Sequence, residues 1–175
     1  MTSPISPEPW LRGTHEELHP VPRQIIHALE LAREDIDRWC SDLTDAELSA
    51  RPFDLPSVAF QLRHIARSLD RLLTYAEARQ LTPEQMSALG DELHGSACTS
   101  GVLDELRSGL EDATRRILSI EIGSYEQGRG VGRKQLPTTV AGLLIHCAEH
   151  TQRHVGQAVT TAKLILSMRG GEGGA

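Results

Sequence analysis

Aromatic side chains are scarce in this 175-residue chain, at 3% of the total. Any core must therefore be aliphatic, built on Leu, Ile, Val and Ala, which suits packed helices better than a β-sandwich. Cysteine is sparse too. Cys40, Cys98 and Cys147 make an odd count and show no C-x-x-C spacing, which argues against a disulfide framework and fits a reducing compartment. Basic charge is not in excess: the net charge is −6, without a polybasic block. The basic stripe of a duplex-binding protein is missing, so nucleic acid is not an expected partner. No apolar run approaches the roughly 20 residues of a membrane span. The first residues, Met1 to Pro9, lack both the basic and the apolar regions of a secretory signal. A cytoplasmic protein is expected, and no internal repeat divides it.

What the chain does contain is helical periodicity. Residues 1–20 carry four prolines and read as an extended lead-in, residues 21–167 as one helical domain, and residues 168–175 as a flexible Gly-rich tail. Four long helical patterns and no strand are expected between the two ends. In the first, about Pro22 to Leu43, the residues Leu29, Ala32, Ile36, Trp39 and Leu43 recur at 3-4 spacing along one face. Ser57 is placed to cap the second, whose stripe is Val58, Leu62, Ile65, Leu69, Leu72 and Ala76. A short helix at Leu81–Leu89 would have Thr82 as its cap and Pro83 in its first turn. The third long helix opens near Ser100, with a seam of Leu103, Leu106, Leu110, Ala113, Ile117 and Ile120. A Gly-rich loop, Gly123 to Gly132, precedes the fourth at about 139–167. The expected fold class is all-α, a four-helix bundle with a long second-to-third connection.

The fourth pattern differs from the others because its seam turns polar. It reads Val140, Leu143, Cys147, His150, His154, Gln157, Thr161, Leu164. Residues four apart on an α-helix lie one above the other, so His150 and His154 are spaced to grip one metal ion. Hydrogen bonding within the core is the alternative way to satisfy two such imidazoles. His64, at the edge of the second stripe in the row Gln61–His64–Ser68, is a candidate third ligand or a rim histidine. His146 could pair with His150 or serve as a supporting group, and Cys147 reads as core rather than as a thiolate ligand. His27 is expected to be an ordinary helix residue, and His15, His19 and His94 solvated. Glu149 lies on another face from His150 and reads as surface charge. Three imidazoles with an open position are a catalytic rather than a structural pattern, and they suit zinc, nickel, iron or copper.

The segment His150-Thr151-Gln152-Arg153-His154-Val155-Gly156-Gln157 resembles the H-x-x-x-H-x-G-Q signature of the DinB-like family. Gln61-Leu62-Arg63-His64-Ile65-Ala66 is similar to that family's second-helix histidine segment, and Trp10-Leu11-Arg12-Gly13 to the lead-in of one branch. The resemblance, over about residues 10–167, implies an up-down-down-up bundle and one divalent metal held by His64, His150 and His154. Zinc or nickel is the expected metal, with iron or manganese as alternatives. It also implies a homodimer and a small-molecule substrate, because family members with established activities include S-transferases and isomerases that use a low-molecular-weight thiol. A metal-dependent hydrolase and a non-catalytic metal-binding dimer are the rival readings. Arg63, Arg67, Arg133 and Lys134 are candidates to receive an anionic substrate, although for any one of them a solvated surface charge is the stronger reading. Leu118, Ile145 and Leu166 are outward apolar residues suited to a dimer surface. No catalytic residue is assigned.

Overall fold

The computed structural model describes residues 7–94 and 101–171. Six α-helices and one small antiparallel hairpin make up its regular structure. Four helices are long: α1 (Pro20–Cys40), α3 (Val58–Ala76), α5 (Val102–Ser119) and α6 (Val140–Gly171). The short helices are α2 (Asp45–Ser49) and α4 (Pro83–His94). Strands β1 (Gly128–Val131) and β2 (Leu136–Thr139) pair antiparallel. The long helix α6 packs against both α1 and α3, while α5 packs mainly on α3.

Each long helix forms where its sequence supplies both a stripe and a start signal. Ser57 Oγ accepts the backbone N–H of Phe60 at 3.2 Å, capping α3. Behind that cap, Val58, Leu62, Ile65, Leu69 and Leu73 are essentially inaccessible to water. Fully burying one such side chain stabilises the fold by roughly 1.5–3 kcal/mol. On α1 the buried row is Ile25, Leu29, Ala32, Ile36 and Cys40, and on α5 it is Val102, Leu106, Leu110, Ala113 and Ile117. Gly109 is the point where α5 comes closest to α3: a Cβ there would stand 2.9 Å from that of Ala66.

The connection between α3 and α5 carries the helix expected there, which opens at Pro83 and runs five residues beyond Leu89, to His94. Thr82 and Gln85 form a reciprocal cap, with Gln85 N–H on Thr82 Oγ1 at 3.2 Å and Thr82 N–H on Gln85 Oε1 at 2.9 Å. Gln85 also donates to Asp70 and Thr74, which fastens α4 along α3. The expected opening of the next helix at Ser100, and Cys98, lie outside the described residues.

Several expectations need correction. The Gly-rich loop is partly a hairpin, so the helical domain is not free of strands. Its four-residue turn begins at Gly132 with φ of +68°, where glycine is unstrained. Helix α2 was not anticipated; the box Thr44-Asp45-Ala46-Glu47 nucleates it, with Thr44 and Glu47 capping each other. The lead-in is more than an extended approach. Pro9–Leu11 form a 3-10 turn, Gly13 and His15 turn the chain with positive φ, and the Arg12 guanidinium makes a two-pronged pair with Glu34 of α1 at 2.5 and 2.8 Å. None of the described helices is long and apolar enough to cross a membrane.

Candidate metal centre

Two helices bring the three expected ligands together. His64 comes from α3, and His150 and His154 lie one turn apart on α6. One ring nitrogen from each lies within 4.8 Å of the other two. The ring centroids are 4.4 to 5.0 Å apart, and His150 Nε2 stands 3.1 Å from His64 Nε2. Two nitrogens bound to one metal at about 2.0–2.1 Å, at angles near 90–110°, would stand about 2.9–3.4 Å apart. The closest pair is therefore already at ligand spacing.

The outer nitrogens decide which inner nitrogens are free. His64 Nδ1–H donates to Glu92 Oε2 at 2.8 Å, and His154 Nδ1–H donates to Gln61 Oε1 at 2.6 Å. A carboxylate and an amide oxygen can only accept, so both rings carry a proton on Nδ1, and in the neutral ring Nε2 is then the lone pair. Metal-binding histidines are oriented in the same way by carboxylate or carbonyl partners. Glu92 is itself fixed: its side chain is 3% exposed and Arg71 donates to it at 2.6 Å. Burial pushes the Glu92 carboxyl up, but the hydrogen bonds from His64 and Arg71 outweigh burial and hold it below its usual range. Ser68 Oγ lies 3.4 Å from His64 Nε2 and accepts from Arg71. Phe60 stacks on the His64 ring.

The same surroundings keep the α6 histidines neutral. Burial, followed by the neighbouring His154, His64 and His146, pushes His150 down to about 4. His154 is lowered by burial, then by His64 and Arg153, against a partly opposing hydrogen bond to the Gln157 side chain. Neutral imidazole is the form that binds a metal. The donor set, its protonation and its spacing thus fit a divalent transition ion.

The other residues singled out from sequence fall into place around this group. His146 pairs with Glu149 on the exposed side of α6, its ring 5.3 Å from that of His150. Cys147 is wholly buried and its thiol is pushed up to about 12 by burial, so it is a core residue. Of the expected α6 seam, Val140, Leu143, Cys147 and Thr161 are buried, but His150, His154 and Leu164 are half-buried and Gln157 is exposed; Thr151, Val155 and Ala158 fill the buried positions between Cys147 and Thr161. Helix α6 faces two partners, α1 and α3, so its buried face is wide. Between Cys147 and Thr161 the sequence reading followed the polar flank of that face.

Arg63 and Arg67 both reach Glu105 at 2.9 Å, on the His64 side of α3. Arg71 pairs with Glu92 in the same way, so three guanidiniums line this side of α3 in contact with Glu92 and Glu105. Arg133 and Lys134 are exposed in the hairpin turn. That hairpin is tied to Ala76 through Arg129, twelve residues along α3 from His64, or about 18 Å. They are too far away to receive a substrate at this site. His27 is buried in α1, and His15 rests against it instead of standing in solvent. His19 is exposed and caps α1, while the His94 side chain lies outside the described residues.

Glu92 and Gln61 were not identified from sequence as partners of the site. Gln61 had a signal, an amide on the buried face of an amphipathic helix. Glu92 had none, because it lies 28 residues from His64 on a helix expected to end before it.

The sequence model of the DinB superfamily matches residues 28–158, which include all three histidines. None of the curated proteins compared matches the chain. With three quarters of its length covered by that one match, the chain belongs to the DinB superfamily.

Proposed function

We propose that the chain is a metal-dependent enzyme that binds one divalent ion, zinc or nickel first, through His64, His150 and His154, and uses a low-molecular-weight thiol in an S-transfer reaction. The observation that carries this reading is the convergence of three imidazoles, two of them oriented through Nδ1 by Glu92 and Gln61. When bound, such an ion would lower the pKa of a coordinated thiol and so supply the nucleophile.

The chain's own residues would do the rest. Glu92 and Gln61 fix the imidazoles, and half-burial of the group limits its access to water. Arg67 and Arg71, one and two turns along α3 from His64, are the guanidiniums placed to meet a carboxylate-bearing thiol or electrophile. Hydrolysis is less well served, because it needs a general base. Glu92, the carboxylate in contact with the triad, is already committed to His64 and Arg71. The proposal includes the up-down-down-up helix order, with α4 in the crossover, and a homodimer in a reducing cytoplasm. Leu118 and Ile145 are exposed enough to serve as a contact surface, whereas Leu166 is half-buried against the core.

Cobalt loading tests the thiol step. Adding glutathione, or another small thiol, to the cobalt-loaded chain is expected to produce an intense sulfur-to-cobalt charge-transfer band, which His150→Ala removes. A cobalt spectrum unmoved by every thiol tried, with metal bound to the triad, would contradict the thiol reading while leaving the metal site intact.

A further inference from the structure

A second cluster of metal-ligating side chains lies on the other side of α1. His15 of the lead-in meets His27 and Glu30 of α1, and one donor atom from each lies within 4.8 Å of the other two. His15 Nε2 contacts Glu30 Oε1 at 2.8 Å, and the rings of His15 and His27 are 5.6 Å apart between centroids. His27 is 5% exposed. Its Nε2 meets Thr14 Oγ1 at 3.1 Å, but its buried Nδ1 has no hydrogen-bond partner among the described residues. A buried ring nitrogen left without a partner costs about 1–3 kcal/mol, and the same ring offers one donor atom to the cluster.

The surroundings leave room for an ion and its water. A cleft of about 270 Å³ opens beside the cluster between α1 and α5, lined by His15, Glu30, Arg33, Glu111 and Thr114 among others. The backbone also works to place His15 there. Gly13 turns at φ +65°, and His15 itself adopts φ +60°, a conformation that costs a non-glycine residue roughly 1–2 kcal/mol. His15 sits on the lead-in rather than on a helix, and its Nε2 already stands 2.8 Å from Glu30 Oε1. Two imidazoles and one carboxylate, with a position left for water, form a recognised zinc donor set.

We infer that His15, His27 and Glu30 form a second divalent-metal site, separate from the triad on α3 and α6, which clamps the lead-in segment to α1. Zinc is the ion that this donor set suits best. The two sites share no residue, so either can be tested with the other removed.

The test uses the full chain carrying His150→Ala and His154→Ala, stripped of metal and titrated with zinc against a chromophoric chelator. One equivalent is expected to bind. Adding His15→Ala should abolish that binding, and Glu30→Gln should weaken it by about tenfold or more. Zinc should also slow tryptic cleavage after Arg12 in the first variant and leave the rate unchanged once His15 is replaced. Zinc binding that survives His15→Ala, or no binding before that change in a chain whose helical circular dichroism is intact, would overturn the inference. Should the triad variant fail to fold, the unmodified chain decides: it is expected to bind two equivalents and the His15→Ala chain one. Equal stoichiometry in those two would refute the second site without touching the first.

Discussion

The two histidine clusters teach different things about how a fold builds a site. The triad stands on two long helices whose positions are set by the core, and a carboxylate and an amide orient its rings from behind. The cluster at His15, His27 and Glu30 uses one helix and a strap, and the strap is held by the Arg12–Glu34 pair on the surface. One group is preorganised by burial of its supports. The other has a member on the lead-in and a buried nitrogen left unpaired. The first is therefore suited to chemistry, where geometry must not drift, and the second to fastening a segment.

Breaking the triad itself should have the largest effect. His64→Ala removes the one ligand contributed by α3 and leaves only the α6 pair. Metal affinity at the triad should fall by more than the 10–100-fold, roughly, that a supporting partner is worth, while the lead-in cluster keeps its behaviour. Glu92→Gln is the next step down. It keeps the shape and the acceptor oxygen but loses the charge behind His64, so an affinity loss of about 10–100-fold is expected by chelator competition. No change would mean that Glu92 merely packs there.

Gly109→Ala separates the two regions through packing. Its Cβ would meet Ala66 at 2.9 Å and force α5 away from α3. Such overpacking typically costs about 1–3 kcal/mol, which urea denaturation would read directly. Because α3 carries His64, triad affinity should weaken as well, whereas Arg12→Ala should disturb only the lead-in cluster.

A smaller effect should appear as a pH dependence of the metal-free chain. His150 is held near 4 in the fold, against an ordinary 6.5, and His154 is shifted in the same direction. Between those values the unfolded chain takes up protons that the folded chain refuses. Stability should thus be complete above about pH 6.5 and decline as pH falls towards 4. Urea midpoints across that range should show the decline, and His150→Ala should flatten it. Midpoints that rise on acidification would contradict the neutral assignment.

Local features were the most legible in the sequence. The α3 stripe, the Ser57 and Thr82 caps and the one-turn spacing of His150 and His154 all depend on residues within four positions of each other. The capping box at Thr44 and Glu47 was equally local and was passed over, because the five-residue helix it starts carries no stripe. The hairpin was hidden by its glycines, since Gly128, Gly130 and Gly132 dilute the alternation that marks a strand. Glu92 and the His15–His27 contact could not be read at all. Both depend on how separate segments dock, and nothing in the local spacing of either segment announces the other.

The central claim is that His64, His150 and His154 hold a metal ion, and the most direct measurement is elemental analysis of the purified chain beside its His150→Ala, His154→Ala variant. The account predicts that the variant contains one equivalent less of divalent metal per chain while its helical circular dichroism is unchanged. Identical metal content in the two proteins, after both have been offered zinc and nickel, would contradict it and leave the three histidines as a hydrogen-bonded group within a helical fold.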